Sequence, residues 1–337
     1  MTTAAIFGCA GPTLSDAERA FFREADPWGF ILFARNVETP DQVRALTAAL
    51  RESVGRDAPV LIDQEGGRVA RLRPPHWRGW PPALATASAP VLSEDERCEA
   101  LRLRYALIGA ELSGVGIDVN CAPLLDLPVT GAHDIIGDRA LGETVEQVTR
   151  RGRAVRDGLL DAGVLPVVKH VPGHGRGAVD SHHALPCVDT PLTTLEETDF
   201  RPFVALADAP LAMTAHIVYD ALDPDRCATL SPPSIRYMRE TMGLSGLLMS
   251  DDLSMKALAG DFADRTVRAL DAGCDLVLHC NGDPAEMQAV AAASRPLTDA
   301  ARARSERALA LRGAVAGDAA AWADRYAALA ARGGFDV

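Results

Sequence analysis

The sequence predicts an α/β protein folded as a closed (β/α)8 TIM-type barrel, and three observations carry that expectation. Eight short apolar runs, rich in β-branched and aliphatic residues, recur along the chain. Amphipathic segments with a period near 3.6 lie between most of them, and strand–helix alternation of this kind implies a parallel sheet covered by helices. Six of the runs lead at once, or within three residues, into polar groups: Asp63, Asn120, Lys169-His170, His216, Asp251-Asp252 and Asn281. A closed barrel gathers all those positions at one mouth, where enzymes of this fold carry their catalytic groups. An open doubly wound sheet would concentrate them at one switch point and bring a Gly-x-Gly-x-x-Gly fingerprint. That fingerprint and the P-loop are both absent.

In chain order the apolar runs are residues 4–9, 29–33, 60–62, 116–119, 165–168, 211–214, 246–249 and 275–278. Their shortness and aliphatic character suit parallel strands buried on both faces. The helical period is clearest over 41–54, 94–112, 143–160, 195–206 and 261–272. The 337 residues are expected to form one catalytic barrel domain, with a core over about 1–295 and a helical extension over about 297–332. That alanine-rich extension either packs on the outside of the barrel or mediates dimer contacts, so monomer and homodimer both stay open. No linker, repeat or low-complexity stretch marks a second domain.

Composition narrows the function. The 34 basic against 46 acidic residues give a formal charge of −12, which argues against nucleic-acid and anionic-membrane partners, because both require a basic surface. The first residues, Met1-Thr2-Thr3-Ala4-Ala5-Ile6-Phe7-Gly8-Cys9, carry no basic region and too short an apolar run for a signal peptide. Ile6-Phe7-Gly8-Cys9 resembles a lipoprotein box, but only eight residues precede Cys9, and a buried first strand is the better reading. No apolar stretch approaches the roughly 18 residues needed to cross a bilayer. Seven cysteines with no Cys-x-x-Cys pair suit reduced thiols in a cytoplasm.

Four stretches carry chemistry. The densest is Lys169-His170-Val171-Pro172-Gly173-His174-Gly175-Arg176-Gly177, continuing through Asp180-Ser181-His182-His183, where proline and glycines exclude a helix just after the fifth apolar run. His170 and His174 stand four apart, but Pro172-Gly173 removes the helix that would make this a zinc spacing. They read either as site residues or as loop-stiffening groups bonded to backbone carbonyls. Asp180 and His182 are close enough for the carboxylate to hold one imidazole nitrogen and leave the other for proton transfer. Ser181 is wedged between them, and no Gly-x-Ser-x-Gly elbow occurs, so serine catalysis is not expected.

Asp63-Gln64-Glu65-Gly66-Gly67-Arg68-Val69-Ala70-Arg71 follows the third run. Its carboxylate and guanidinium groups suit vicinal sugar hydroxyls, with a solvated turn of surface ion pairs as the alternative. Asp251 and Asp252 end the seventh run. Neighbours on extended backbone face opposite ways, so one can aim at the barrel axis as a nucleophile while the other braces the loop or caps the next helix. Arg139, in a glycine-flanked loop after the fourth run, is weak alone. His216 after the sixth reads as a satisfied buried histidine or a group at the same mouth.

Taken together, these segments resemble the β-N-acetylhexosaminidase (NagZ) branch of glycoside hydrolase family 3. The resemblance rests on Asp63-Gln64-Glu65-Gly66-Gly67-Arg68-Val69 with Arg71, Ile136-Gly137-Asp138-Arg139, Lys169 through Gly175, Asp180-Ser181-His182, Met213-Thr214-Ala215-His216 and Ser250 through Met255. Val171 stands where the branch usually has an aromatic residue. The resemblance implies Asp251 as nucleophile, His182 as general acid/base and Asp180 as the group orienting it. It also implies that Asp63, Arg71, Arg139, Lys169 and His170 hold a terminal N-acetylglucosamine. Such enzymes need no metal or other cofactor. They are cytoplasmic and release that sugar with retention from anhydro-muropeptides during cell-wall recycling.

Two rival activities are set against this one. A phosphorylase would use the same site, since a neutral histidine base repels an incoming phosphate less than a carboxylate does. A zinc-dependent barrel hydrolase would use His170, His174, His182 and His216 as ligands. A sugar-binding sensor with a dead site is disfavoured because the nucleophile and acid positions are both filled.

Overall fold

A run of aliphatic residues with no polar face can satisfy its backbone only in a sheet covered on both sides, and the computed structural model of the chain shows eight such strands. It describes residues 1–129, 131, 134–177 and 185–335. The strands are β1 (Thr3–Gly8), β2 (Pro27–Leu32), β3 (Val60–Ile62), β4 (Val119–Asn120), β5 (Leu165–Val171), β6 (Leu211–Thr214), β7 (Leu247–Asp252) and β8 (Leu276–His279). They close into one barrel in sequence order, β8 pairing back to β1, with every pair parallel. Ile6 of β1 lies opposite both Gly29 of β2 and Leu278 of β8, which fixes the closing register. The (β/α)8 expectation is thus met, each expected run supplying one strand.

Strand ends depart from the expected ones in ways that matter for the site. The fourth run yields only Val119–Asn120, because Gly116 adopts φ +78 and turns the chain. A Cβ on Gly116 would come within 2.4 Å of Thr47 Oγ1, so the turn also demands glycine for space. β5 and β7 instead run on past their apolar cores, and Lys169, His170, Asp251 and Asp252 lie within strands rather than after them. The pairing register shifts between Val168 and Val171, and again between Met249 and Asp252. Such irregularities re-aim side chains at a barrel rim.

Helices Pro40–Val54, Glu94–Ser113, Val145–Asp161 and Phe262–Ala272 match the periodic segments. Residues 195–206 do not form one helix. They divide into Leu192–Glu197 and Arg201–Ala205 around buried Asp199, with Pro202 in the first turn of the second piece. Helix Asp16–Ala25, outside the periodic segments named above, starts with a capping box of Ser15 and Glu18. A small sheet of Cys187–Val188, Val218–Tyr219 and Asp223–Cys227 sits beside the barrel. Through it the Tyr219 hydroxyl donates to the carbonyl of Gly173.

The tail forms two helices, Asp299–Leu309 and Ala319–Gly333, and packs on the barrel's outside. Leu297 N–H donates to the carbonyl of Thr2, Trp28 Nε1 donates to Ser305 at 2.7 Å, and buried Tyr326 stacks edge-on against Trp80 at 5.7 Å. Among the described residues, no helix is long and apolar enough to cross a membrane.

Candidate active site

The polar ends of β3, β5 and β7 meet in a cavity of about 260 Å³ at the C-terminal mouth of the barrel. Asp63, Arg71, Arg139, Lys169, His170 and Asp251 all line it, so six sequence-predicted site residues from four separate parts of the chain are brought together. Asp180 and His182 lie outside the described residues, as do Ser181 and His183.

The floor of the cavity is an ion-pair lattice. Lys169, almost fully buried, donates to Asp63 at 2.8 Å and lies 2.7 Å from Glu65. Glu65 in turn takes a two-pronged contact from Arg139 at 2.9 Å on each oxygen, and Asp63 pairs with Arg71 at 3.1 Å. These are therefore buried pairs, not the solvated surface pairs that the sequence left as an alternative. Burial pushes both carboxyls up in pKa, but the neighbouring cations more than offset it. Lys169 and Arg71 hold Asp63 far below the carboxylate range, and Arg139 and Lys169 hold Glu65 at about 2. Asp63 thus stays ionised, able to accept from hydroxyl donors.

The turn that presents Asp63 is held by buried amides. Gln64 Oε1 accepts from the N–H groups of Arg71 and Leu72, and Gln64 exchanges two bonds with Asn120. Gly66, at φ +99, passes so close to Arg104 and the Pro81 carbonyl that a Cβ would collide with both. Arg104 is completely buried and donates to the carbonyls of Glu65, Pro81 and Pro82 and to Thr86 Oγ1.

At β7 the two aspartates divide their roles. Asp252 accepts from Ser254 N–H at 3.0 Å, Ser254 Oγ at 2.5 Å and Cys280 N–H at 3.2 Å, which braces the loop against the segment just after β8. It caps no helix; Asp261 caps Phe262–Ala272. Asp251, half-buried, accepts from the Asp252 N–H at 2.8 Å and lines the cavity.

The histidines differ from one another. His170 is bonded through Nδ1 to the carboxylate of Asp126 at 2.8 Å, and not to a backbone carbonyl as the loop-stiffening reading had it. Asp126 also accepts the backbone N–H groups of His170 and His174. Burial and the neighbouring His170 push the His174 imidazole down to about 4, so it is neutral near pH 7. His216 is buried and satisfied, with Thr229 on Nδ1 at 2.8 Å and the Asp252 carbonyl on Nε2 at 3.0 Å. Both its nitrogens are engaged, and among the described residues no three of His, Cys, Asp and Glu converge as a metal-ligand set.

Apolar side chains line the cavity as well: Ile31, Val69, Met213, Met255 and Leu278. Phe33 lines it too, with the guanidinium groups of Arg35 and Arg71 about 5 Å from its ring centre. A cavity lined by both ionised hydrogen-bonding groups and aliphatic side chains suits a sugar ring, which has hydroxyl edges and C–H faces. Sequence reasoning did not assign Glu65, Asp126 or Phe33 to the site. Glu65 stood in plain view beside Asp63, whereas Asp126 follows the apolar stretch 121–125 with no motif to mark it.

Comparison with known proteins bears on the family and the fold. Residues 13–307 match the family model described as "Glycosyl hydrolase family 3 N terminal domain". A protein named "Beta-hexosaminidase" from Methylococcus capsulatus is 41% identical over 281 residues, covering 82% of each chain. The crystal structure of native NagZ from Neisseria gonorrhoeae superimposes with a TM-score of 0.86 at 28% identity, over 98% of this chain and 97% of that one. A glycoside hydrolase family 3 beta-N-acetylglucosaminidase from Paenibacillus sp. superimposes with a TM-score of 0.80 at 30% identity. This chain is matched over 99% of its length there but spans only 62% of the Paenibacillus chain.

Proposed function

Because the chain belongs to glycosyl hydrolase family 3 and is a glycoside hydrolase, we propose that it is a retaining β-N-acetylhexosaminidase. Its substrate is a terminal β-linked N-acetylglucosamine, taken from anhydro-muropeptides in the cytoplasm during cell-wall recycling. The observation that carries this reading is the opening of Asp251 onto the cavity whose floor is the Asp63–Lys169–Glu65–Arg139 lattice. Names borne by relatives at 34–41% identity support the substrate class.

In this reading the sugar lies with its hydroxyls on Asp63, Arg71, Arg139, Lys169 and His170. Asp251 attacks the anomeric carbon while protonated His182, oriented by Asp180, gives its proton to the departing oxygen. The glycosyl–Asp251 ester forms as the glycosidic bond breaks. Neutral His182 then takes a proton from water, whose oxygen displaces Asp251 and restores both groups. Two displacements on one carbon leave the β configuration unchanged.

The test is hydrolysis of paired aryl β-glycosides, N-acetylglucosaminide and glucoside, with the product anomer followed by NMR in the presence and absence of phosphate. Preference for the N-acetylglucosaminide and a first-formed free β-sugar in both buffers are expected. An α-sugar would overturn retention, and a sugar 1-phosphate would make the enzyme a phosphorylase.

A further inference from the structure

His170 faces the cavity from β5, and its backing lies on a different part of the chain. Residues 122–125 run alongside β5: Val167 N–H donates to the carbonyl of Ala122, Lys169 N–H to Pro123, and Leu125 N–H to Lys169. This alignment brings Asp126, whose side chain is completely buried, behind the His170 ring. Three donors converge on its carboxylate. Oδ1 accepts from the backbone N–H groups of His170 at 3.2 Å and His174 at 2.6 Å, and Oδ2 lies 2.8 Å from His170 Nδ1.

We propose that Asp126 is a positioning residue, which locks His170 as its Nδ1–H tautomer and so presents Nε2 to the substrate as a hydrogen-bond acceptor. The inference rests on the glycosidase reading only for the identity of the hydroxyl that Nε2 receives. An ionised carboxylate can only accept, so the ring nitrogen facing it must carry the proton. In the neutral ring the other nitrogen then has a lone pair and no hydrogen. Asp63 accepts from the sugar as well, while Arg71, Arg139 and Lys169 donate, so His170 adds an acceptor to a site rich in donors. Carboxylate partners that fix the tautomer of metal-ligating histidines are typically worth about 10–100-fold in affinity or activity, and a loss toward the lower end of that range is expected for a sugar-binding histidine.

Asp126→Asn tests this because the two backbone donors dictate how the amide sits. Its oxygen must take the Oδ1 place, which turns the NH2 group toward His170 Nδ1. Two donors cannot face each other, so the ring is forced into the Nε2–H form and the acceptor becomes a donor. The backbone contacts to His170 and His174 are kept.

The experiment has two readouts. In protein labelled with ¹⁵N at histidine, ring chemical shifts without substrate are expected to give Nδ1–H for His170 in the parent and Nε2–H in Asp126→Asn. For turnover of an aryl N-acetylglucosaminide, Asp126→Asn is expected to lower kcat/KM by about 10-fold or more. In a His170→Gln background the same substitution is expected to change kcat/KM by less than about 3-fold. Parent His170 found as Nε2–H, or protonated on both nitrogens, would overturn the proposal, even if the variant failed to fold. An equal loss in both backgrounds would do so too, since Asp126 would then act on structure and not through the imidazole. A parent that is inactive on every glycoside but carries Nδ1–H would discredit the glycosidase reading while leaving the tautomer lock standing.

Discussion

At the scale of single residues, burial decides what each charged group can do. Glu65 is the only carboxylate described against Arg139 within ion-pair distance, and it shares Lys169 with Asp63. Glu65→Gln leaves buried cations under-compensated and is expected to cost about 3–5 kcal/mol in urea unfolding; a loss below about 1 kcal/mol would show that the lattice is not structural. The buried groups also set the acid limit. His174 is held below its unfolded value of about 6.5, so its neutral form contributes stability above that pH, which is lost as pH falls toward about 4. Glu65 contributes fully above its unfolded value of about 4.3, and that part is lost as pH falls through about 2. Stability is therefore expected to fall steadily from pH 6.5 downward, and His174→Asn to flatten the upper part of the curve. An unchanged slope between pH 6.5 and 4 in the variant would contradict the assignment. For His182, the acid role requires His182→Ala to retain far more activity on aryl glycosides with good leaving groups than on disaccharides. Equal losses on both would remove it from that role. Asp63, Lys169, His170 and Asp251 were legible because each sits at or beside a strand end in a motif of mixed polar residues, whereas Arg71 and Arg139 lie farther along the loops and were picked out by the family resemblance. Asp126 was not, since its meaning comes from strand pairing that brings it behind His170.

At the scale of elements, the eight strands were readable because parallel strands covered on both faces show up as uninterrupted aliphatic runs. Their ends were less so. Lys169, His170, Asp251 and Asp252 are polar and look like loop, yet register shifts carry the strands through them. Helical period overestimated residues 195–206, where Asp199 turns inward to meet Arg176 at 2.7 Å and splits the helix. Helix Glu94–Ser113 supports the site through Arg104, whose guanidinium bonds to four oxygens of the Glu65 and Pro81–Thr86 segments. Arg104→Met strands those acceptors and is expected to cost about 2 kcal/mol or more and to raise KM. A stable variant with unchanged KM would show that the turn at Gly66 holds itself.

For the molecule as a whole, we take barrel and tail to be one cooperative catalytic domain. The tail covers the barrel's outside through Trp28–Ser305, Arg304–Asp275, Arg312–Asp118 and Tyr326–Trp80 contacts. A chain ending at residue 295 exposes those surfaces and is expected to melt about 10 °C or more below the full chain. Coincident melting of the two would make the tail an accessory.

Barrel closure is also what brings β3, β5 and β7, far apart in sequence, to a common mouth, and the central claim is that Asp251 there forms the bond to the sugar. The most direct measurement is mass spectrometry of the enzyme after inactivation by a fluorinated N-acetylglucosamine derivative that traps the glycosyl ester. The label is expected on Asp251, with none bound in Asp251→Ala. Label on Asp252, or a fully active enzyme that carries no label, would contradict the account.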